Sequence, residues 1–270
     1  MSITKRVFGR NAQGETVTQY ILTNAMGAAI KVIDFGAILT SVTVPDRNGK
    51  LADVVTGFDD MEGYLKPHGS MGETIGRYGN RIAKGRFTID GETYQLAINN
   101  GENHLHGGKV GFGAKMWQAT ELPGEGKDSV KLHLVSPDGE ENYPGTLTVD
   151  VTYTWTDRCD LMIRYEAATD KATHCNLTNH SYFNLNGHTS GSALGHRVTV
   201  DADAYLEADA QSIPTGRKLP VKGTPMDFTE EKTLGLDIGA DFKPLTDCSG
   251  YDQCYVIRDS GLRHAAWAVG

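Results

Sequence analysis

An all-β fold, built as one large antiparallel sandwich, is what this sequence predicts, and three observations carry that expectation. The stretch "TLTVDVTYTWT" alternates without a break. Leu147, Val149, Val151, Tyr153 and Trp155 share one face, while Thr148, Asp150, Thr152 and Thr154 share the other, which is the period of a half-buried strand. The chain carries 32 glycines and many turn signals, as a fold of many hairpins requires. Helical periodicity is scarce, and only "TEEKTLGLDI" suggests one short helical turn.

Taken in order, the elements follow from local chemistry. "VTQYILT" reads as a strand, and "AAIKVIDFGAILTSVTVPD" as two strands separated near Gly36 and closed by Pro45 and a "DRNG" turn. "RFTIDGETYQL" is a pair of short strands around Asp90-Gly91, the dipeptide a tight hairpin prefers. "SVKLHLVS" precedes the alternating stretch, and "LMIRYEA" repeats its pattern with Leu161, Ile163 and Tyr165 on one face. Further strands are expected at "HRVTVDA" and "QCYVIRD". No linker, low-complexity tract or tandem repeat interrupts the chain, so residues 1–270 are expected to form a single domain.

Composition narrows the function classes. A chain of 270 residues can bury a large core. The formal charge is −8 and no basic cluster occurs, with a pI of about 5.6, which argues against nucleic acid and anionic membrane as partners. No apolar run reaches spanning length, and "MSITKRVFGRNAQGETV" lacks the apolar segment of a secretory leader. Cys159, Cys175, Cys248 and Cys254 show no C-x-x-C spacing. Scattered thiols of this kind suit a reducing, cytoplasmic setting.

Three short stretches could carry chemistry. "GRYGNRIAKG" sets Asn80-Arg81 among Gly76, Gly79 and Gly85; its plain reading is a glycine-rich turn with a solvated arginine. In "NNGENHLHGG", strand alternation would place His104 and His106 on one face. That spacing suits a metal pair, with His174 or His180 as further ligands, or else a hydrogen-bonded loop histidine. "TNHSYFNLNGH" concentrates amides and imidazoles around Tyr182 and Phe183. Groups that both donate and accept hydrogen bonds, next to aromatic faces, match a polyhydroxyl ligand. His180 has the pKa range for proton transfer near neutrality, with a satisfied core histidine as the alternative.

Together, "GRYGNRIAKGRFTIDGETYQLAINNGENHLHGG", "NLTNHSYFNLNGH", "GTPMDF" and "GYDQCYVI", in this order and at these separations, resemble the aldose 1-epimerases, the galactose mutarotase family. The resemblance implies a β supersandwich that interconverts the α and β anomers of hexoses such as galactose and glucose. It implies a monosaccharide substrate and no metal or organic cofactor. Position by position, His180 matches the general acid and Arg81, with Asn80 beside it, the sugar-gripping pair. His106 matches a second active-site histidine, Asp252 a hydroxyl-binding aspartate, and Tyr182 a pocket wall; Asp227 is a weaker, structural match. The family's general base is a glutamate near its C-terminus, which does not occur before the ending "GLRHAAWAVG". A polypeptide ending at Gly270 is therefore expected to lack that base and its supporting strands, with Glu73 and Glu102 the carboxylates nearest the motifs. Other readings are a non-catalytic sugar-binding protein of the same fold, a sugar-phosphate epimerase, and a metalloenzyme using His104, His106 and His180.

Overall fold

A computed structural model of the chain describes residues 1–67 and 69–270. They divide into two compact units, Met1–Phe183 and Asn184–Gly270. In both, the regular structure is mainly antiparallel strand with little helix, as the alternating patterns require.

In the first unit, β1 (Ser2–Arg10), β2 (Thr16–Thr23), β3 (Ala29–Ile33), β4 (Leu39–Pro45) and β5 (Leu51–Asp53) follow one another as a five-stranded meander. After the short helix α1 (Met61–Tyr64) come two-residue strands β6 (Thr74–Ile75) and β7 (Arg81–Ile82). The hairpin of β8 (Arg86–Ile89) and β9 (Glu92–Gln95) follows, and then the two-residue β10 (His104–Leu105). A second meander runs through β11 (Gln118–Gly124), β12 (Lys127–Ser136), β13 (Leu147–Thr156) and β14 (Leu161–Thr169), and β15 (Thr178–Asn179) comes last.

The period-two stretch is β13, and its apolar face is almost completely buried while its threonines and Asp150 are only partly covered. Two aromatic side chains on that face also bond across to the first meander. Trp155 Nε1–H donates to Ala28 O at 3.1 Å, and Tyr153 Oη–H donates to Ala37 O at 2.8 Å. Burying such rings with their polar tips satisfied gives both area and register. Truncating Trp155 to alanine would cost about 3–5 kcal/mol. The hairpin turn is where it is expected: Asp90 and Gly91 both have positive φ, 51° and 83°, as a type I′ turn demands.

The second unit holds two three-stranded sheets. Strands β16 (Arg197–Val200), β19 (Lys232–Thr233) and β21 (Ala266–Val269) form one, and β17 (Ala202–Ala208), β18 (Pro214–Pro220) and β20 (Tyr255–Ile257) the other. Tyr205, Val221, Met226 and Leu245 form a small core, Leu245 coming from helix α2 (Lys243–Cys248). The helical turn expected at "TEEKTLGLDI" is not there. Lys232 and Thr233 instead extend the ladder opposite Val198 and Arg197. Lys232 Nζ is held by Asp237 at 2.7 Å and Pro225 O at 2.6 Å. Strand pairing and a half-buried, paired ammonium outweigh weak helix propensity across Gly235. The helix forms further on, with Pro244 in its first turn. Among the described residues, no helix is long and apolar enough to cross a membrane.

Candidate active site

Two minimal ladders bring the chemistry-bearing stretches of the first unit together. On one side, β7 pairs with β10, setting Arg81 opposite Leu105 and leaving His106 as the next residue. On the other, β15 pairs with β6, setting Asn179 opposite Thr74. His180 N–H then donates to Glu73 O at 2.9 Å, and Gly72 N–H donates to His180 O at 3.1 Å. The glycine-rich stretch lies between these contacts. Gly79 N–H donates to Asn176 O at 2.7 Å, and Asn176 Nδ2 returns a bond to Gly79 O at 2.9 Å. The turn dismissed by its plainest reading as a solvated loop is thus bonded to both histidine-bearing segments.

The backbone is bent where the site requires it. Asn80 and His106 both occupy left-handed conformations, φ 66° and 51°, which asparagine tolerates and histidine enters less readily. Such conformations persist where surrounding contacts enforce them. Here the two residues enforce each other: His106 N–H donates to Asn80 O at 3.1 Å, and Asn80 N–H donates to His106 Nδ1 at 3.0 Å. Next to His106, Gly107 (φ 83°) is packed so closely that an added Cβ would come within 1.8 Å of Gly76 O. Only glycine fits there.

The bond from Asn80 has a chemical consequence. Nδ1 of His106 accepts a proton-bearing group, so it carries no proton itself, and the neutral ring is the Nε2–H tautomer. Burial, then the neighbouring His180 and Arg81, lower the His106 pKa from its ordinary value of 6.5 to about 4. At neutral pH His106 is therefore a fixed, uncharged hydrogen-bond donor. Its ring meets that of His180 edge to face, with centres 5.3 Å apart. The ring of His180 in turn lies 5.2 Å from that of Tyr182, which is 45% exposed. Arg81 is aimed by two asparagines: Nε donates to Asn100 Oδ1 at 3.0 Å, and Nη1 to Asn80 Oδ1 at 3.3 Å. A cavity of about 250 Å³ adjoins His106, and Glu73, Asn99, Lys109 and Gly113 also line it.

The other candidates fall elsewhere. The one-faced pair His104 and His106 does not form, because the strand ends at Leu105 and the left-handed turn at His106 breaks the alternation. His104 is fully buried with both nitrogens engaged, Nδ1 with Ala97 O at 2.8 Å and Nε2 with the Tyr143 hydroxyl at 2.7 Å. His174 packs edge-on against Phe87 and Tyr78. Among the described residues, no three metal-ligating side chains are gathered. Glu102 is exposed within the tight turn that pairs Asn100 with Asn103. Glu73 is next to His180 through the backbone, and its Oε2 would lie 2.2 Å from a Cβ added at Gly113. Asp252, in the second unit, is exposed, and its N–H donates to Gln253 Oε1 at 3.2 Å. Asp227 closes a turn by accepting from the Thr229 N–H and hydroxyl at 3.1 and 2.6 Å. The pattern reading missed Asn99 and Asn100. Asn99 bonds Leu105 N–H (2.8 Å), Leu105 O and Gly108 O (both 2.9 Å), and so shapes the loop that carries His106. The "NN" doublet was their only signal.

An all-β scaffold holding a fixed neutral donor, a second imidazole, an arginine fork and an aromatic ring has the chemistry that a class of proteins binding sugars and moving protons requires. The family model described as aldose 1-epimerase matches residues 18–269. Human galactose mutarotase is 42% identical over 264 residues, 97% of this chain and 74% of that protein. Aldose 1-epimerase of Escherichia coli is 35% identical, over 92% of this chain and 70% of its own length. Among solved structures, galactose 1-epimerase from Lactobacillus acidophilus superposes with a TM-score of 0.89 at 28% identity, over all of this chain and 77% of that one. An aldose epimerase homologue from C. elegans gives 0.80 at 31% identity, over 93% and 74%. The chain belongs to the aldose 1-epimerase family, isomerases that interconvert the α and β anomers of aldoses.

Proposed function

We propose that the chain catalyses mutarotation of hexoses such as galactose and glucose, with His180 as the general acid and His106, Arg81, Asn80 and Tyr182 holding the sugar. The observation that carries this reading is the edge-to-face pair of His106 and His180, one ring fixed as a neutral donor by Asn80. Protonated His180 gives its proton to the ring oxygen while a base removes the proton of the anomeric hydroxyl. The C1–O5 bond breaks and an open-chain aldehyde forms. Rotation about C1–C2 presents the other carbonyl face, and reclosure returns both protons. No atom is gained or lost.

Each residue type has its part. Acid–base assistance is worth roughly 10²–10⁴-fold per group. The His106 Nε2–H can meet an oxygen on which charge develops, without reorganising at the moment of reaction. Arg81 offers a planar fork to adjacent hydroxyls, and Tyr182 offers a face to the sugar's C–H groups. Asp252 keeps a hydroxyl-binding role on the motif "GYD" alone. The family match runs through both compact units, which supports residues 1–270 acting as one functional domain. A cytoplasmic setting belongs to the same proposal, on the four free thiols.

Polarimetry on freshly dissolved α-D-galactose tests the reading. Faster equilibration with added protein, lost in His180→Asn while NMR still detects sugar binding, is the expected result. Saturable binding with no faster anomer exchange would make the chain a sugar-binding protein instead.

A further inference from the structure

Residues 136–145 belong to none of the sugar-site motifs, yet they hold the loop that carries His106. Their own anchor is Arg77, which is 2% exposed. Its Nη1 donates to Pro144 O and Gly145 O at 3.0 and 2.8 Å, and its Nη2 to Ser136 Oγ at 2.7 Å and Pro137 O at 3.2 Å. From this anchored segment two side chains reach the loop. The Glu141 carboxylate accepts from Lys109 N–H and Val110 N–H at 3.1 and 2.9 Å. The Tyr143 hydroxyl meets His104 Nε2 at 2.7 Å.

The direction of that last bond follows from its surroundings. Nδ1 of His104 lies 2.8 Å from Ala97 O, which can only accept, so Nδ1 carries the proton. Nε2 of the neutral ring is then bare, and Tyr143 O–H donates to it. Burial lowers the His104 pKa and so keeps the ring neutral. His104 and Leu105 are the residues that pair with Ile82 and Arg81, so what fixes the His104 ring fixes the strand leading into the site.

We propose that Tyr143 is a positioning residue for the sugar site: its hydroxyl locks His104 and thereby holds Leu105, His106 and Arg81 in the register that meets substrate. The inference rests on the roles proposed for His106 and Arg81. In Tyr143→Phe the ring still packs against Phe87 and beneath the Arg77 guanidinium, so the fold survives, but a buried acceptor loses its donor. The kcat/KM for galactose should fall roughly 5- to 100-fold. Part of the loss should appear in KM, through Arg81, and part in kcat, through His106.

The decisive measurement is a double-mutant cycle of Tyr143→Phe with Arg81→Lys, assayed well below either melting temperature, with Val149→Ala as a core-destabilised control. Positioning predicts non-additive losses and wild-type kinetics for the control. Additive losses, or unchanged kinetics in Tyr143→Phe, would overturn it. Imidazole ¹⁵N NMR gives a readout that does not depend on mutarotation. Wild-type His104 should carry its proton on Nδ1 and His106 on Nε2, and the His106 signal should shift or broaden in Tyr143→Phe. An unmoved His106 signal sinks the proposal even in an active enzyme. A moved signal in a protein that fails to speed mutarotation would uphold the coupling and reject the proposed function.

Discussion

His106 and His180 stand edge to face, their ring centres 5.3 Å apart and their planes 84° apart. They come from segments 74 residues apart, and the Asn80 N–H that fixes the tautomer of one ring lies on a third segment. Burial and the Asn80 N–H on Nδ1 hold His106 neutral, and the proposed mechanism assigns the proton transfer to His180.

That division makes His180→Asn a separation-of-function variant. The amide keeps hydrogen-bonding capacity but cannot deliver a proton. Anomer exchange followed by polarimetry should slow by about 10²–10⁴-fold, with sugar affinity by NMR titration changed little. A rate near wild type would remove His180 from the proton path.

Arg81→Lys keeps the charge and loses the fork. Its Nε bond to Asn100 and Nη1 bond to Asn80 orient a planar group that lysine cannot reproduce. Losing one charge-assisted hydrogen bond costs about 1.5–3 kcal/mol, or roughly 10- to 150-fold in kcat/KM. Steady-state kinetics with galactose measure it, and wild-type values would place Arg81 outside the site.

The depressed pKa of His106 makes stability depend on pH with a definite sign. The folded value is about 4 and the ordinary one 6.5. Between them the unfolded chain binds more protons, so stability falls as pH drops through that window and is unaffected by this group above it. Buried His104, also lowered, acts in the same direction. Urea midpoints measured from pH 7 to pH 4 should decline, and less steeply in His106→Gln. An equal slope in both proteins would show that His106 titrates normally.

Much of the architecture is legible in the chain, because β13 and its neighbours have one face in a core and one outside it. Burial then imposes a strict period of two. The strand β1 has no such imprint: most of its residues are exposed, so its sequence carries no alternation. The site is legible in part. Residue types and motifs point to Arg81, His106 and His180, but two-residue ladders leave no periodic trace. Side-chain alternation breaks at His106, where φ 51° replaces the extended backbone that alternation requires. Nor does spacing reveal Tyr143, whose proposed role rests on a contact 39 residues away.

Asn80→Gly should separate stability from activity. Glycine enters φ 66° without the steric cost of a side chain, so thermal stability should hold or rise by a few tenths of a kcal/mol. The Asn80 Oδ1 contact to Arg81 Nη1 is lost, and the guanidinium proposed to bind sugar is less well aimed. Calorimetry and kinetics together check this, and a variant both less stable and fully active would contradict it.

The stretch from Gly76 to Arg81 is bonded to Asn176 on one flank and to His106 on the other. If Gly79–Arg81 opens locally, both imidazoles lose their alignment at once, while Arg77 stays anchored to Ser136 and the meander of β11 to β14 keeps its ladder. The proposed site is therefore expected to open as one cooperative unit, with an opening free energy smaller than that of the core. On warming, activity should vanish ahead of bulk melting. In hydrogen exchange, the amides of Gly79, Asn80 and His106 should be released together as one kinetic class, well before those of β13.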